Sequence, residues 1–288
     1  MRKIFCVLLL SVTAICAYAQ VPIEEPSSSP SLITTKYFGP YAFPVPDLLE
    51  GRVNDKFSLS LSGDYVVGRL AGNDKQDRTE ALTFEVNVPL WSDRVSFTVW
   101  GEMHEWYKDN PAVREMRRVD PKYPLSDHDA GSVYFSINML LLKEKQYSPS
   151  LALRASTLTA TGDNYEQARH YDAPGYFFDL SAGKSLFFGS HSQLRASLSA
   201  GFLCWQIDRG TQNDALLLGA KLSYSNRLLK LSAEYGQYSG REHAADNPKA
   251  IKFRCDVKAG KFYPFVYVQH GLEDWPFTQF RAGLRFEL

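Results

Sequence analysis

Two stretches of the 288-residue chain hold side chains able to do acid–base chemistry. Glu102 and His104 lie two residues apart, flanked by Trp100 and Trp106. On a strand, a spacing of two puts both side chains on one face. There a carboxylate and an imidazole could exchange a proton. A structural hydrogen bond is the commoner use of such a pair. The second stretch, 161–179, is denser, with Asp163, Glu166, Arg169, His170 and Asp172 close together. A His among carboxylates suits a hydrolase. Asp163, Asn164 and Glu166 offer the oxygen ligands that calcium takes, at a spacing unlike an EF-hand loop. The plain alternative is a loop folded on its own Asp–Arg pairs. The six His residues show no zinc-type spacing. No Walker loop, dinucleotide fingerprint or Gly-x-Ser-x-Gly elbow occurs. No metal and no cofactor is expected from motifs.

The elements that would carry these groups are strands. From residue 57 onward the apolar period is two. Twelve alternating runs fall near 57–69, 79–89, 94–107, 131–143, 150–161, 174–187, 192–206, 214–225, 228–239, 249–259, 261–271 and 277–288. Each approaches or exceeds the length a tilted spanning strand requires. The run 261–271 is ambiguous, because Pro264 interrupts it and both of its faces are apolar. If both termini lie on one side, the connections after even runs are short and those after odd runs are mostly longer and more polar. That is the asymmetry of an outer-membrane barrel. Aromatics gather at the run ends as interfacial girdles: Trp91, Tyr147, Phe187, Tyr224 and Tyr263 on the inner side, and Tyr65, Trp106, Tyr107, Tyr176, Trp205, Tyr235, Tyr238 and Trp275 on the outer. A secreted β-sandwich would also alternate, but has no reason for this loop asymmetry.

The chain ends on Arg281, Ala282, Gly283, Leu284, Arg285, Phe286, Glu287 and Leu288, apolar on one face and polar on the other. This octet resembles the C-terminal assembly signal of bacterial outer-membrane proteins, with Arg281, Gly283, Phe286 and Leu288 at the matching positions. The resemblance implies handling by a barrel assembly machinery. Residues 1–19 read as a signal peptide: Arg2 and Lys3, an apolar run, then Ala17-Tyr18-Ala19 before Gln20. A lipidated Cys16 fits less well, because Ile15 is bulky. Residues 20–56 are rich in Pro and Ser and cannot form a helix or a central strand. They are expected as a periplasmic strap along the barrel base, or as a plug. The barrel proper is 57–288.

Charges balance at 32 basic against 32 acidic residues. A nucleic-acid binder would be basic, so nucleic acid is not an expected partner. Lipid of the outer membrane is. The polar faces should line the lumen with Asp64, Glu85, Glu102, His104, Arg154, Asp179, Arg195, Lys221, Lys230, Glu234, Lys252, Arg254, Asp256, Lys258, Arg281, Arg285 and Glu287. The bases concentrate in the later strands. Two readings stand: a network of paired charges filling the lumen, or a base-lined path for a small anionic solute. Cys204 and Cys255 sit on apolar faces and read as free thiols.

Segments 37–51 and 162–184 are similar to stretches of uncharacterised outer-membrane proteins from Bacteroidetes-type bacteria. That resemblance implies location and architecture and carries no activity. Outer-membrane phospholipases are also twelve-stranded, but their pattern is His-x-Ser with an Asn on the next strand. Here His170 is followed by Tyr171 and Asp172. The expected function is a porin-like narrow channel or structural barrel. The alternatives are a membrane-embedded lipid hydrolase using His170 or His104, and a surface binding partner using 108–130 and the strap.

Overall fold

The computed structural model describes residues 34–72, 77–91, 93–188, 191–206, 214–240 and 246–288. The signal peptide and the first part of the strap lie outside these residues. Twelve antiparallel strands close into a ring: β1 (Ser58–Gly68), β2 (Arg78–Trp91), β3 (Val95–Lys108), β5 (Val133–Leu142), β6 (Ser150–Leu158), β7 (Gly175–Phe188), β8 (Ser192–Trp205), β9 (Ala215–Ser225), β10 (Leu229–Gly240), β11 (Lys249–Val257), β12 (Phe262–Glu273) and β13 (Phe277–Glu287). A thirteenth strand, β4 (Ser126–Asp129), pairs with the end of β3 outside the ring. Closure is made by β1 against β13, with Ser58 opposite Glu287 and Gly68 opposite Phe277. It leaves no sheet edge, which a spanning sheet cannot tolerate.

The outward face is a belt of exposed aliphatic and aromatic side chains. Leu61, Leu82, Ile137, Leu180, Leu198, Leu222, Phe253 and Leu284 all belong to it. They come from strands all round the ring. A surface apolar on every side is unstable in water and suits lipid. The inward face is small or polar, with Ser60, Thr83, Ser136, Ser156, Ser181, Ser199 and Ser223 buried. Alternation thus selects a barrel over a sandwich, whose apolar faces would be hidden.

Pro264 resolves the ambiguous run. It lies just beyond the point where β11 stops pairing, at Asp256 opposite Phe265. Its missing N–H therefore removes no ladder bond on that side. Phe265 and Tyr267 face inward although they are aromatic, because each lies under a guanidinium. Arg254 sits 3.9 Å from the ring centre of Phe265 and Arg281 5.5 Å from that of Tyr267.

The connections at one end are 3–7 residues long between strand ends; the other end holds longer loops, apart from the three residues between β12 and β13, and carries a short helix, α1 (Pro111–Met116). Asn110 caps α1 by accepting from the Ala112 N–H at 2.9 Å.

Candidate functional site

Residues 38–51 lie inside the ring, with 34–37 at its loop end and 52–56 at its turn end. The segment enters at the loop end, where the Lys36 N–H donates to Asp246 at 3.0 Å and its ammonium sits 3.5 Å from Asp274. The Gly39 N–H then donates to the Ala168 carbonyl at 2.8 Å. Midway, the Tyr41 hydroxyl donates to Asp64 at 2.8 Å, and the Leu48 N–H donates to Glu234 at 3.1 Å. At the turn end, the Arg52 guanidinium donates to Ser185 at 3.0 Å, and Asn87 donates to the Lys56 carbonyl at 2.7 Å. The chain then turns into β1. The described part of the strap, expected along the base or as a plug, makes these contacts within the lumen from its loop end to its turn end.

Its sequence suits that route. Pro40, Pro44 and Pro46 carry no N–H, so a buried extended chain here has fewer donors to satisfy. Its carbonyls are met by the wall. Tyr238 donates to Phe43 at 2.8 Å, Trp275 to Pro40 at 3.3 Å, Arg195 to Glu50 at 2.8 Å, and Lys252 to Val45 at 2.8 Å. The wall is cut away to admit it. A Cβ at Gly219 would lie 2.5 Å from Leu48, and one at Gly236 would lie 2.9 Å from Val45. Gly51 has φ +65°, and a Cβ there would lie 2.6 Å from the Gly183 nitrogen, so only glycine fits.

The plug also consumes the basic strands. Lys252 lies 2.6 Å from Asp47 and 3.2 Å from Glu234. Lys230 lies 2.9 Å from Glu50, and Lys221 bridges Glu50 at 3.4 Å and Glu234 at 3.1 Å. Burial alone would raise the Glu50 carboxyl, but Lys230 and Lys221 outweigh it and hold it at about 2. Elsewhere the wall charges pair with each other. Arg154 reaches Asp179 at 2.6 Å, Arg281 reaches Asp64 at 2.6 Å, and Arg195 reaches Glu144 at 2.7 Å. Arg254 and Arg285 share Asp256 at 3.0 and 3.4 Å, and Arg285 also reaches Glu287 at 3.1 Å. Lys258, expected in the lumen, instead donates to the Asn226 carbonyl in the β9–β10 turn at 2.6 Å.

A cavity of about 300 Å³ lies between the plug and the wall. Ser60, Thr83, Glu85 and Asn138 line it from the early strands, and Arg254, Tyr267 and Arg281 from the late ones, around Tyr41, Pro44 and Asp47.

Glu102 and His104 do not share a face. Met103 is an extra residue in β3: Thr83 pairs with Glu102 and Leu82 with His104. This bulge flips the strand end. Glu102 points inward and is 8 % exposed, whereas His104 points outward against the Trp106 ring at 4.4 Å. Glu105 and Tyr107, unassigned or placed in the girdle from sequence, become lumenal. Trp205, Tyr238 and Trp275, expected in the outer girdle, are also buried inside the mouth. Trp205 and Tyr238 belong to the core around Phe38 and Phe43, and Trp275 packs with Tyr41. Tyr263 likewise faces inward under Arg285, 5.0 Å from its ring centre. Tyr65, Trp106, Trp91, Tyr147 and Phe187 are exposed, as girdle residues should be.

At the loop end, charges are buried beneath 159–174. Arg169 donates to both Glu105 oxygens, at 2.9 and 3.0 Å, and to Thr79 at 2.8 Å. Arg117 bridges Asp77 and Asp109, each at 3.0 Å. His170 is 1 % exposed and lies 3.6 Å from Glu105. Burial would lower its imidazole, but the Glu105 charge outweighs burial and holds it above the usual value. Neither ring nitrogen has a hydrogen-bonded hydroxyl, so a serine–histidine pair is not formed. Asp172 is exposed on the loop. Cys204 and Cys255 are both free, the former buried. In β13, Phe280, Leu284 and Leu288 are exposed outward. A Cβ at Gly283 would lie 2.7 Å from the Phe265 ring, which explains the glycine in the terminal octet.

No protein-family model and no curated protein matches the chain by sequence. Solved structures do match it in fold. An outer-membrane channel from Pseudomonas putida F1 superimposes with TM-score 0.55 at 10 % identity, over 84 % of this chain and 100 % of that one. A KdgM porin gives 0.47 at 9 % identity, over 80 % and 99 %. The transport unit of the autotransporter AIDA-I from Escherichia coli gives 0.46 at 10 % identity, over 85 % and 93 %. At these identities the likeness is one of fold.

Proposed function

We propose that this chain is a porin-like channel of the outer membrane, with a narrow passage between the N-terminal plug and the barrel wall, used by small polar solutes. The observation that carries the reading is the cavity of about 300 Å³ beside a plug whose contacts run from the loop end to the turn end. The fold shared with the Pseudomonas putida channel supports it. Twelve strands leave room for a narrow bore only.

The proposal differs from a base-lined anion path. Lys221, Lys230 and Lys252 are neutralised by Asp47, Glu50 and Glu234. The intact protein should therefore select weakly among small ions. Outer-membrane lipid is the partner of the apolar belt, and the terminal strand would engage the assembly machinery through Phe286 and Leu288 and the Arg281 and Gly283 positions.

The test is conductance in planar bilayers with and without residues 35–52. Deletion removes Asp47 and Glu50 and leaves Lys221, Lys230, Lys252 and Arg195 facing water. Steps should grow at least roughly threefold and turn anion-selective, because the wider bore loses two carboxylates and keeps all four cations, with Lys230 left unpaired. Unchanged step size and unchanged selectivity from folded barrel would overturn the proposal.

A further inference from the structure

We propose that Glu105, Asp129 and His170 form a divalent-metal site, of zinc or manganese type, that ties the outer loops to the barrel rim. The proposal does not rest on the channel reading. The three residues come from three elements: the end of β3, the end of β4, and the loop before β7. Each offers one ligand atom, and those atoms lie within 4.8 Å of one another. A tetrahedral ion at about 2.0–2.2 Å from each ligand would hold them roughly 3.4 Å apart. Closing that difference takes side-chain rotation within one buried cluster.

Two observations point to a ligand. First, His170 is 1 % exposed, and neither Nδ1 nor Nε2 has a hydrogen-bond partner. A buried imidazole normally satisfies at least one nitrogen. Asp129 Oδ2 and Glu102 Oε2 are buried and unpartnered beside it. Second, Asp129 has no Lys or Arg partner among the described residues: Arg117 pairs with Asp77 and Asp109, and Arg169 pairs with Glu105. A buried carboxylate is costly without a counter-ion. A divalent cation supplies the missing charge. The backbone packs tightly against the His170 and Glu102 side chains. A Cβ at Gly162 would lie 2.6 Å from the His170 ring, and one at Gly131 would lie 2.3 Å from the Glu102 Cβ.

One imidazole and two carboxylates form the donor set that suits zinc or manganese better than magnesium or calcium. Arg169, held on both Glu105 oxygens, would orient that ligand from the second shell. The imidazole ligates in its neutral form, so binding should weaken as pH falls. The site is buried, so its role would be to fasten the loop 159–174 against β4.

The experiment uses the untagged, folded, full-length protein, with the folded barrel verified by heat-modifiable gel mobility. Metal-stripped protein is titrated with Zn²⁺ alone, and separately with Co²⁺ while its visible absorption is recorded. One equivalent should bind, with a Co²⁺ spectrum of low-coordinate N/O type. His170→Gln and Asp129→Asn should each weaken Zn²⁺ by more than roughly tenfold, since loss of a second-shell partner alone costs about that much. Asp163→Asn, in the same loop but exposed, should bind as the parent does. Should the two ligand variants fail to fold, the stoichiometry and Co²⁺ spectrum of the parent decide alone. Absence of stoichiometric binding to the folded parent, or binding unchanged in folded His170→Gln, would overturn the proposal.

Discussion

Met103 shows how one residue reassigns a face. Strict alternation puts Glu102 and His104 together, and the sequence offers no sign that the strand bulges between them. In the structure the bulge sends His104 to the lipid side and brings Glu105 inward to Arg169. Glu102 was legible and Glu105 was not, because a bulge depends on register against β2 and not on the local residues. His170 was legible as a chemical group, but its partners lie 41 and 65 positions upstream, at Asp129 and Glu105. No spacing rule reaches that far. Glu50 is the residue whose charge can be tested by pH. Its carboxyl is held at about 2, below the ordinary 4.5. The stabilisation is therefore present above about 4.5 and lost as pH falls towards 2. Its size is on the order of 3 kcal/mol, from the shift alone. Protection of the plug from proteolysis should fall across that window, and Glu50→Gln should flatten the dependence. A profile identical in the variant would mean that Glu50 does not anchor the plug.

Among the elements, the strands were the most legible part. All twelve ring strands fall within the expected runs to within a few residues, because lipid outside and polar groups inside enforce a clean period of two. The plug was less legible. Its Pro content rules out helix and central strand, but says nothing about which surface it contacts. The clue lay in the wall, where Gly219 and Gly236 stand at lumen-facing positions and make room for Leu48 and Val45. Direction is the second thing the sequence did not reveal. The chain enters at the loop end beside Asp246 and Asp274 and leaves at the turn end beside Glu287. Side chains of Lys36 and Lys56 are 34 % and 53 % exposed at the two ends. With Cys204 and Cys255 replaced by Ser, Lys36→Cys should react with an impermeant maleimide on intact cells. Lys56→Cys should react only after the outer membrane is permeabilised. The reverse pattern would invert the plug.

At the scale of the whole molecule, the aromatic ends of the strands serve two purposes. Tyr65, Trp106, Trp91 and Phe187 face lipid, while Trp205, Tyr238 and Trp275 form the inner wall of the outer mouth and grip the plug. Composition assigned all of them to girdles because both roles need large amphipathic side chains at strand ends. Parity separates them: Trp205 continues the inward series of Arg195, Ser197 and Ser199. The molecule is thus a lipid-embedded ring around a docked segment, with a cavity between that segment and the wall. A cysteine pair at Val45 and Gly236, in a background without Cys204 and Cys255, places that arrangement under redox control. A Cβ at Gly236 would lie 2.9 Å from Val45 Cγ1, which puts the two Cβ atoms no more than about 4.4 Å apart, within reach of a disulfide with small adjustment. The measurement is bilayer conductance of this variant, oxidised and then reduced. The cross-link should form in the folded barrel and fix conductance at its small, weakly selective level. Reduction should restore occasional larger, anion-selective openings as the plug leaves. Failure of the cross-link to form in folded protein would contradict a plug in the lumen.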